Sequence, residues 1–150
     1  MGYVEELREL IGHKCIILNG SAVILKNKAG LILMQQRKYP YGKWALPGGL
    51  MELSESTVET AIREVYEETS LTIKNLTLLG VYSGKEYLCS AENGDEWYVV
   101  TTAYITDNYE GEVVVNDDES ITFEWIDPNY LPDDTASTHR IIISDYLQTL

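Results

Sequence analysis

The spacing of apolar positions along the chain changes character several times, and each change marks an element. Residues 3–11 (YVEELRELI) place Val4, Leu7, Leu10 and Ile11 at helical spacing with acids between them, which predicts a short amphipathic helix or, failing that, a loose leader. From Cys15 to Leu25 the run CIILNGSAVIL is rich in β-branched residues, and Asn27-Lys28-Ala29-Gly30 supplies a turn before LILMQQR. This segment reads as a β-hairpin. In YPYGKWALPGGLMEL two prolines and three glycines exclude a regular helix and mark a structured loop that carries Trp44.

Ser56 and Glu59 stand at capping-box spacing, and Val58, Ala61, Ile62 and Val65 line one side of a helix that runs to about Thr69. Beyond it, LTIKNLTLLGVYSG and KEYLCSA read as strands, Asn93-Gly94-Asp95 as a turn, and WYVVTTAYIT as a long strand. ITFEWI alternates like a further strand, Pro128 and Pro132 end it, and ASTHRIIISDYLQTL closes the chain as a helix. Strands, helix, strands, helix imply an α/β (α+β) architecture in which helices pack on the faces of a mixed sheet. With 150 residues and no repeat or linker, residues 1–150 are expected to form one domain.

The formal net charge is −13, and no Lys/Arg-rich stretch tracks a polyanion, so long nucleic acid is not an expected partner. A small phosphorylated ligand remains compatible if divalent cations stand between protein carboxylates and phosphate oxygens. Cys15 and Cys89 are far apart, form no CxxC pair and read as reduced core or strand residues. No window approaches a membrane span, which makes the expected setting cytoplasmic.

Three acids carry the chemistry. Glu64, Glu67 and Glu68 fall at i, i+3 and i+4, which puts their carboxylates on one helix face away from the apolar stripe. Like charges at that spacing oppose the helix, and Mg²⁺ or Mn²⁺ would relieve the repulsion. A solvated acidic face explains such a string when it stands alone. Here Gly49, Glu55, Arg63, Glu64, Val65, Glu67, Glu68 and Leu71 follow G-x5-E-x7-R-E-U-x-E-E-x-x-U, where U is aliphatic. Six matched identities at fixed spacing arise by chance on the order of once in 10⁷ starts.

This string resembles the Nudix box, and Pro47-Gly48 and Glu52 resemble its usual lead-in. The box spans 49–71, and its last glycine is replaced by Ser70. The resemblance implies an α/β/α sandwich and a Mg²⁺- or Mn²⁺-dependent hydrolase that cleaves the phosphoanhydride of a nucleoside diphosphate derivative. It implies that Glu64, Glu67 and Glu68 hold metal, with the Gly49 carbonyl as a further ligand, and that Glu55 and Arg63 form an internal salt bridge. Glu119, in the acidic run 117–119, is a candidate late ligand or base, against the plainer reading of a solvated turn. Arg37 is a candidate phosphate contact, and Trp44, Tyr39 and Tyr41 are candidates for stacking on a base. His13 and His139 read as structural.

The family's sequence cues leave ADP-ribose, nucleoside triphosphates and dinucleoside polyphosphates open. The proline associated with ADP-ribose enzymes is missing from Gly84-Lys85-Glu86-Tyr87, and Tyr87 stands where some dinucleoside polyphosphate hydrolases carry tyrosine. The rival readings are a non-catalytic Nudix-like nucleotide sensor and an unrelated α/β protein with a solvated or calcium-binding helix. The assembly is expected to be a monomer or a homodimer.

Overall fold

A computed structural model describes residues 2–150; Met1, the first residue of the expected domain, lies outside the described residues. In chain order the elements are α1 (Tyr3–Ile11), β1 (Ile16–Leu25), β2 (Ile32–Arg37), β3 (Trp44–Ala45), β4 (Gly48–Leu50) and α2 (Thr57–Thr69). There follow β5 (Thr72–Lys74), β6 (Thr77–Tyr82), a single 3₁₀ turn (Lys85–Tyr87), β7 (Leu88–Ser90), β8 (Glu96–Thr106), β9 (Asn108–Glu110), β10 (Ser120–Ile126) and α3 (Ser137–Gln148). The mixed α/β class expected from the element order is the one observed.

The centre of the fold is the pair β1 and β8, parallel from Ile16↔Trp97 to Leu25↔Thr106. On the outer side of β1 lies β4, and on the outer side of β8 lie β6 and, further along, β7, all antiparallel. A second sheet runs β10-β2-β3, and β5 pairs with β9. The hairpin expected over residues 15–37 is therefore a correction. Asn27 does build the turn, accepting from the amides of Ala29 and Leu31, but among the described residues β1 and β2 share no ladder, and an isolated Lys26↔Ile32 bridge at the turn is what links them. β1 gives its ladder to β8 and β4, β2 gives its own to β10 and β3, and the chain crosses between sheets at the turn.

Two clusters fill the space around these sheets. Val23, Leu25, Leu33, Ala61, Val65, Leu71, Ile73 and Phe123 pack beneath α2. Ala22, Ile24, Ile32, Met34, Leu46, Ile142, Ile143 and Tyr146 pack beneath α3. Consecutive β1 residues alternate between the clusters, as a strand buried on both faces must. That placement forms the helix-sheet-helix sandwich and puts α2 and α3 on opposite faces.

Two smaller expectations also change. KEYLCSA is a strand only from Leu88, because Lys85–Tyr87 wind into the 3₁₀ turn after Gly84. Cys15 is exposed one residue ahead of β1, while Cys89 is half-buried in β7; both thiols are free. Among the described residues, no helix is long and apolar enough to cross a membrane.

Candidate active site

The helix that carries the acids is secured at both ends. At its start, Ser56 accepts from the Glu59 amide at 3.0 Å and Glu59 accepts from the Ser56 amide at 3.0 Å, the reciprocal capping box expected from the sequence. At its end, Ser70 takes φ 65° and ψ 9°, the left-handed cap conformation usually given to glycine, so the helix exits as it would with glycine. The carbonyls of Glu67, Glu68 and Thr69 are then satisfied from outside the helix. Asn116 Nδ2 donates to Glu67 O, Asn116 N to Glu68 O at 3.2 Å, and Val114 N to Thr69 O at 2.8 Å.

Arg63 organises the acidic face. Its Nε donates to Glu55 Oε2 at 2.6 Å and its Nη2 to Glu55 Oε1 at 3.0 Å, a two-pronged pair, and Nη2 also reaches Leu50 O at 2.9 Å. Its Nη1 donates to Glu64 Oε1 at 3.0 Å and to Glu67 Oε2 at 3.2 Å. The guanidinium holds the Glu55 carboxyl at about 2, well below its ordinary range. Loop 50–55 is thereby fixed onto α2, chiefly through Arg63, with Thr60 Oγ1 adding a bond to Glu55 Oε1 at 3.1 Å.

The three helix acids occupy different environments. Glu68 is buried, accepting from the Gly48 amide at 2.9 Å and from Gln35 Nε2 at 3.2 Å, and burial pushes its carboxyl up to about 8. Glu64 lies directly over Gly49: a Cβ on that glycine would sit 2.3 Å from the Glu64 Cδ, so a side chain there would displace the Glu64 carboxylate. Burial raises Glu64 to about 7 despite the adjacent guanidinium. Glu67 keeps about half its side chain in solvent, 53%.

Among the described residues, no three metal-ligating side chains converge on one point. Arg63 Nη1 stands between Glu64 and Glu67, and the Glu67 carboxylate is open to solvent. This arrangement suits Mg²⁺, which takes one or two carboxylates and completes its octahedron with water and substrate phosphates rather than an all-protein cage. The donor set is entirely oxygen, and two of its carboxylates bear a desolvation cost that a cation would offset.

Beside the acids opens a cleft of about 200 Å³. Its lining includes Gly48, Gly49 and Leu50, which adjoin the acids, together with Arg37, Leu46, Tyr87, Cys89, Trp97, Thr138 and His139. The Arg37 residue is half-buried, yet its charged end lies deep enough that desolvation lowers its pKa, with Glu68, Cys89 and Glu119 opposing. His139 Nδ1 accepts from the Leu46 amide at 2.8 Å, which places the ring proton on Nε2. Burial, and then Arg37, lowers the pKa of that imidazole to about 3, so it stays neutral. The Tyr87 hydroxyl is buried with no partner among the described residues.

The structure thus places Arg37 and Gly49 in the lining of one cleft, with Glu64 against Gly49, Glu68 bonded to Gly48, and Glu119 near enough for its charge to raise both helix acids. It does not bring the stacking candidates there. Trp44 packs on the cluster beneath α3, its backbone bonded to Asp134 and Ala136, and Tyr39 and Tyr41 are exposed in the β2–β3 turn. The cleft aromatics are Tyr87 and Trp97. Tyr87 was visible by its distance from the box, whereas Trp97 and the inward face of His139 left no local mark, because β8 and α3 reach the cleft only through the fold. His13, the other histidine, bonds Asp95 at the surface.

Comparison with known proteins agrees with this geometry. Residues 18–146 match the NUDIX domain. An ADP-ribose pyrophosphatase of Methanocaldococcus jannaschii is 34% identical over 137 residues, 91% of this chain and 75% of that protein. A Danio rerio 8-oxo-dGDP phosphatase is 34% identical over 110 residues, covering 71% of this chain but only 30% of its own length. The crystal structure of a MutT Nudix hydrolase from Burkholderia pseudomallei superposes with a TM-score of 0.73 at 27% identity, covering 86% of this chain and 97% of the other. The chain belongs to the Nudix family and is a MutT-like pyrophosphohydrolase.

Proposed function

We propose that residues 1–150 act as one catalytic domain that cleaves the phosphoanhydride of a nucleoside diphosphate linked to a further group. One observation carries this reading: Arg37, Gly48 and Gly49 line a single cleft, with the Glu64 carboxylate lying against Gly49 and that of Glu68 accepting from the Gly48 amide. Glu64, Glu67 and Glu68 would hold Mg²⁺ or Mn²⁺, with the Gly49 carbonyl and Glu119 as further oxygen ligands. The bound cation would neutralise phosphate charge and lower the pKa of a water. Arg37 pairs with phosphate oxygens from the cleft lining, and Glu55 works through Arg63, keeping loop and helix together. Trp97 and Tyr87, rather than Trp44 and Tyr39, flank the base, and His139 offers Nε2–H to an acceptor of the substrate.

The similarity to an ADP-ribose pyrophosphatase over 91% of this chain puts ADP-ribose first among substrates to test. The panel adds nucleoside triphosphates, 8-oxo-dGTP and diadenosine polyphosphates, each with Mg²⁺ or Mn²⁺. Metal-dependent product release from one of them, lost in Glu67→Gln and Glu68→Gln, is the expected result. Turnover that persists in both variants, or that needs no metal, would overturn the assignment of the acids.

A further inference from the structure

Gln35 is only 4% exposed and follows Ile32, Leu33 and Met34, each of which is completely buried. A side-chain amide in such a place costs free energy unless it is bonded, and packing alone would have favoured another aliphatic residue. Its Nε2 donates in two directions, to Ser120 Oγ at 2.6 Å and to Glu68 Oε2 at 3.2 Å. Gln35 on β2, Glu68 on α2 and Ser120 at the start of β10 are far apart in sequence, so the bonds join three elements through one buried amide.

We propose that Gln35 is a positioning residue whose amide, braced by Ser120, fixes the Glu68 carboxylate relative to the Glu119 turn. This rests on the reading of Glu68 and Glu119 as metal-holding acids. Ser120 directly follows Glu119, and it is 1% exposed. The β10–β2 register shifts between Ser120, opposite Arg37, and Thr122, opposite Gln36. An irregularity of that kind redirects the chain at a sheet end, and here it ends the strand at the residue that Gln35 grips.

The turn is held on its other sides as well. Lys38 N donates to Glu119 O at 3.0 Å, Lys38 Nζ bonds Asp117 O, and Asn116 N bonds Glu68 O. Those contacts fix backbone alone. Gln35 is the contact that reaches the carboxylate itself, and among the described residues Gly48 N is the only other donor to the Glu68 carboxylate oxygens. A ligand acid held by two donors keeps its orientation, and loss of such a partner typically weakens metal affinity about 10- to 100-fold.

Mn²⁺ binding without substrate, followed by the loss of the free-ion signal in electron paramagnetic resonance, reads this directly. The proteins compared are the native chain, Gln35→Met, Ser120→Ala and Glu68→Gln, each first checked for cooperative thermal unfolding. Gln35→Met, close in volume but without donors, is expected to weaken Mn²⁺ binding about tenfold or more. Ser120→Ala, which leaves the Gln35–Glu68 bond unbraced, should shift it in the same direction by less. A folded Gln35→Met that binds Mn²⁺ like the native chain overturns the proposal. Should that variant fail to fold, native affinity in Ser120→Ala overturns it instead. If Glu68→Gln also leaves Mn²⁺ binding unchanged, the metal assignment fails, and the positioning role falls with it.

Discussion

The two helices on opposite faces of the sandwich differ in how they are specified. α2 has a reciprocal capping box at its start, a left-handed Ser70 at its end and three terminal carbonyls bonded by residues 114–116. α3 has no side-chain cap at Ala136, and its buried contribution is Ile142, Ile143 and Tyr146. Both cover a cluster of similar make-up, so packing does not explain the contrast. The difference lies in the load. α2 places Glu64 and Glu68 in low-dielectric surroundings next to one another, which works against the fold, and local bonds offset the cost. α3 carries no such charge and is held mainly by burial.

Breaking the chemistry of α2 should have the largest effect. Glu68→Gln and Glu67→Gln each remove a candidate ligand charge, and metal-dependent turnover should fall by about two orders of magnitude or more. Steady-state rates at saturating Mg²⁺ check this, and a loss under threefold would contradict the assigned roles.

Next comes the organising side chain. Arg63→Ala leaves Glu55 and Glu64 without their guanidinium and should destabilise the protein by roughly 2–3 kcal/mol in urea unfolding. Because the Arg63 pair lowers the Glu55 pKa, its stabilisation is present above the unfolded value near ~4.3 and is lost as pH falls toward about 2. In Arg63→Ala that part of the acid sensitivity should disappear, and a retained slope below pH 4 would assign it elsewhere.

For α3 the corresponding experiment is a pH series on His139→Gln. The buried ring has a pKa of about 3 when folded and ~6.5 when unfolded. Between those values the unfolded chain binds the extra proton, so native stability should decline as pH falls, by up to ~1.4 kcal/mol per unit. Urea midpoints from pH 7 to 4 should show a shallower decline in the variant. An identical decline would mean that the imidazole is not sequestered.

The smallest change sharpens the comparison at the end of α2. Ser70 holds φ 65° with a side chain, so Ser70→Gly should stabilise the protein by up to about 1 kcal/mol. A lowered thermal midpoint would show that Ser70 is bound by contacts worth more than its backbone strain.

Much of α2 was legible because its determinants are local. Ser56 and Glu59 signal the start, the apolar positions signal the buried face, and the acids fall where 3.6 residues per turn must stack them. The expected hairpin over 15–37 failed for the opposite reason: a turn at Asn27 specifies a reversal, not which strands pair, and β1 found its main partner some eighty residues away in β8. Trp44 looked like a stacking residue because the loop around it is close to the box in sequence. It instead fills the cluster beneath α3, and Trp97 takes the cleft wall.

By itself the sequence determined the helix that bears the acids, their order and shared face, and the loop that Gly48 and Gly49 must form, all within reach of one turn or one hydrogen-bonded ring. Only the tertiary structure decided that Glu68 would be buried while Glu67 stayed in solvent, that Gln35 and Ser120 would meet behind it, and that Arg37, Trp97 and His139 would face the same cleft. Those outcomes depend on pairings between strands and helices distant in the chain. Long-range packing selects such pairings, and no local pattern of residues encodes them.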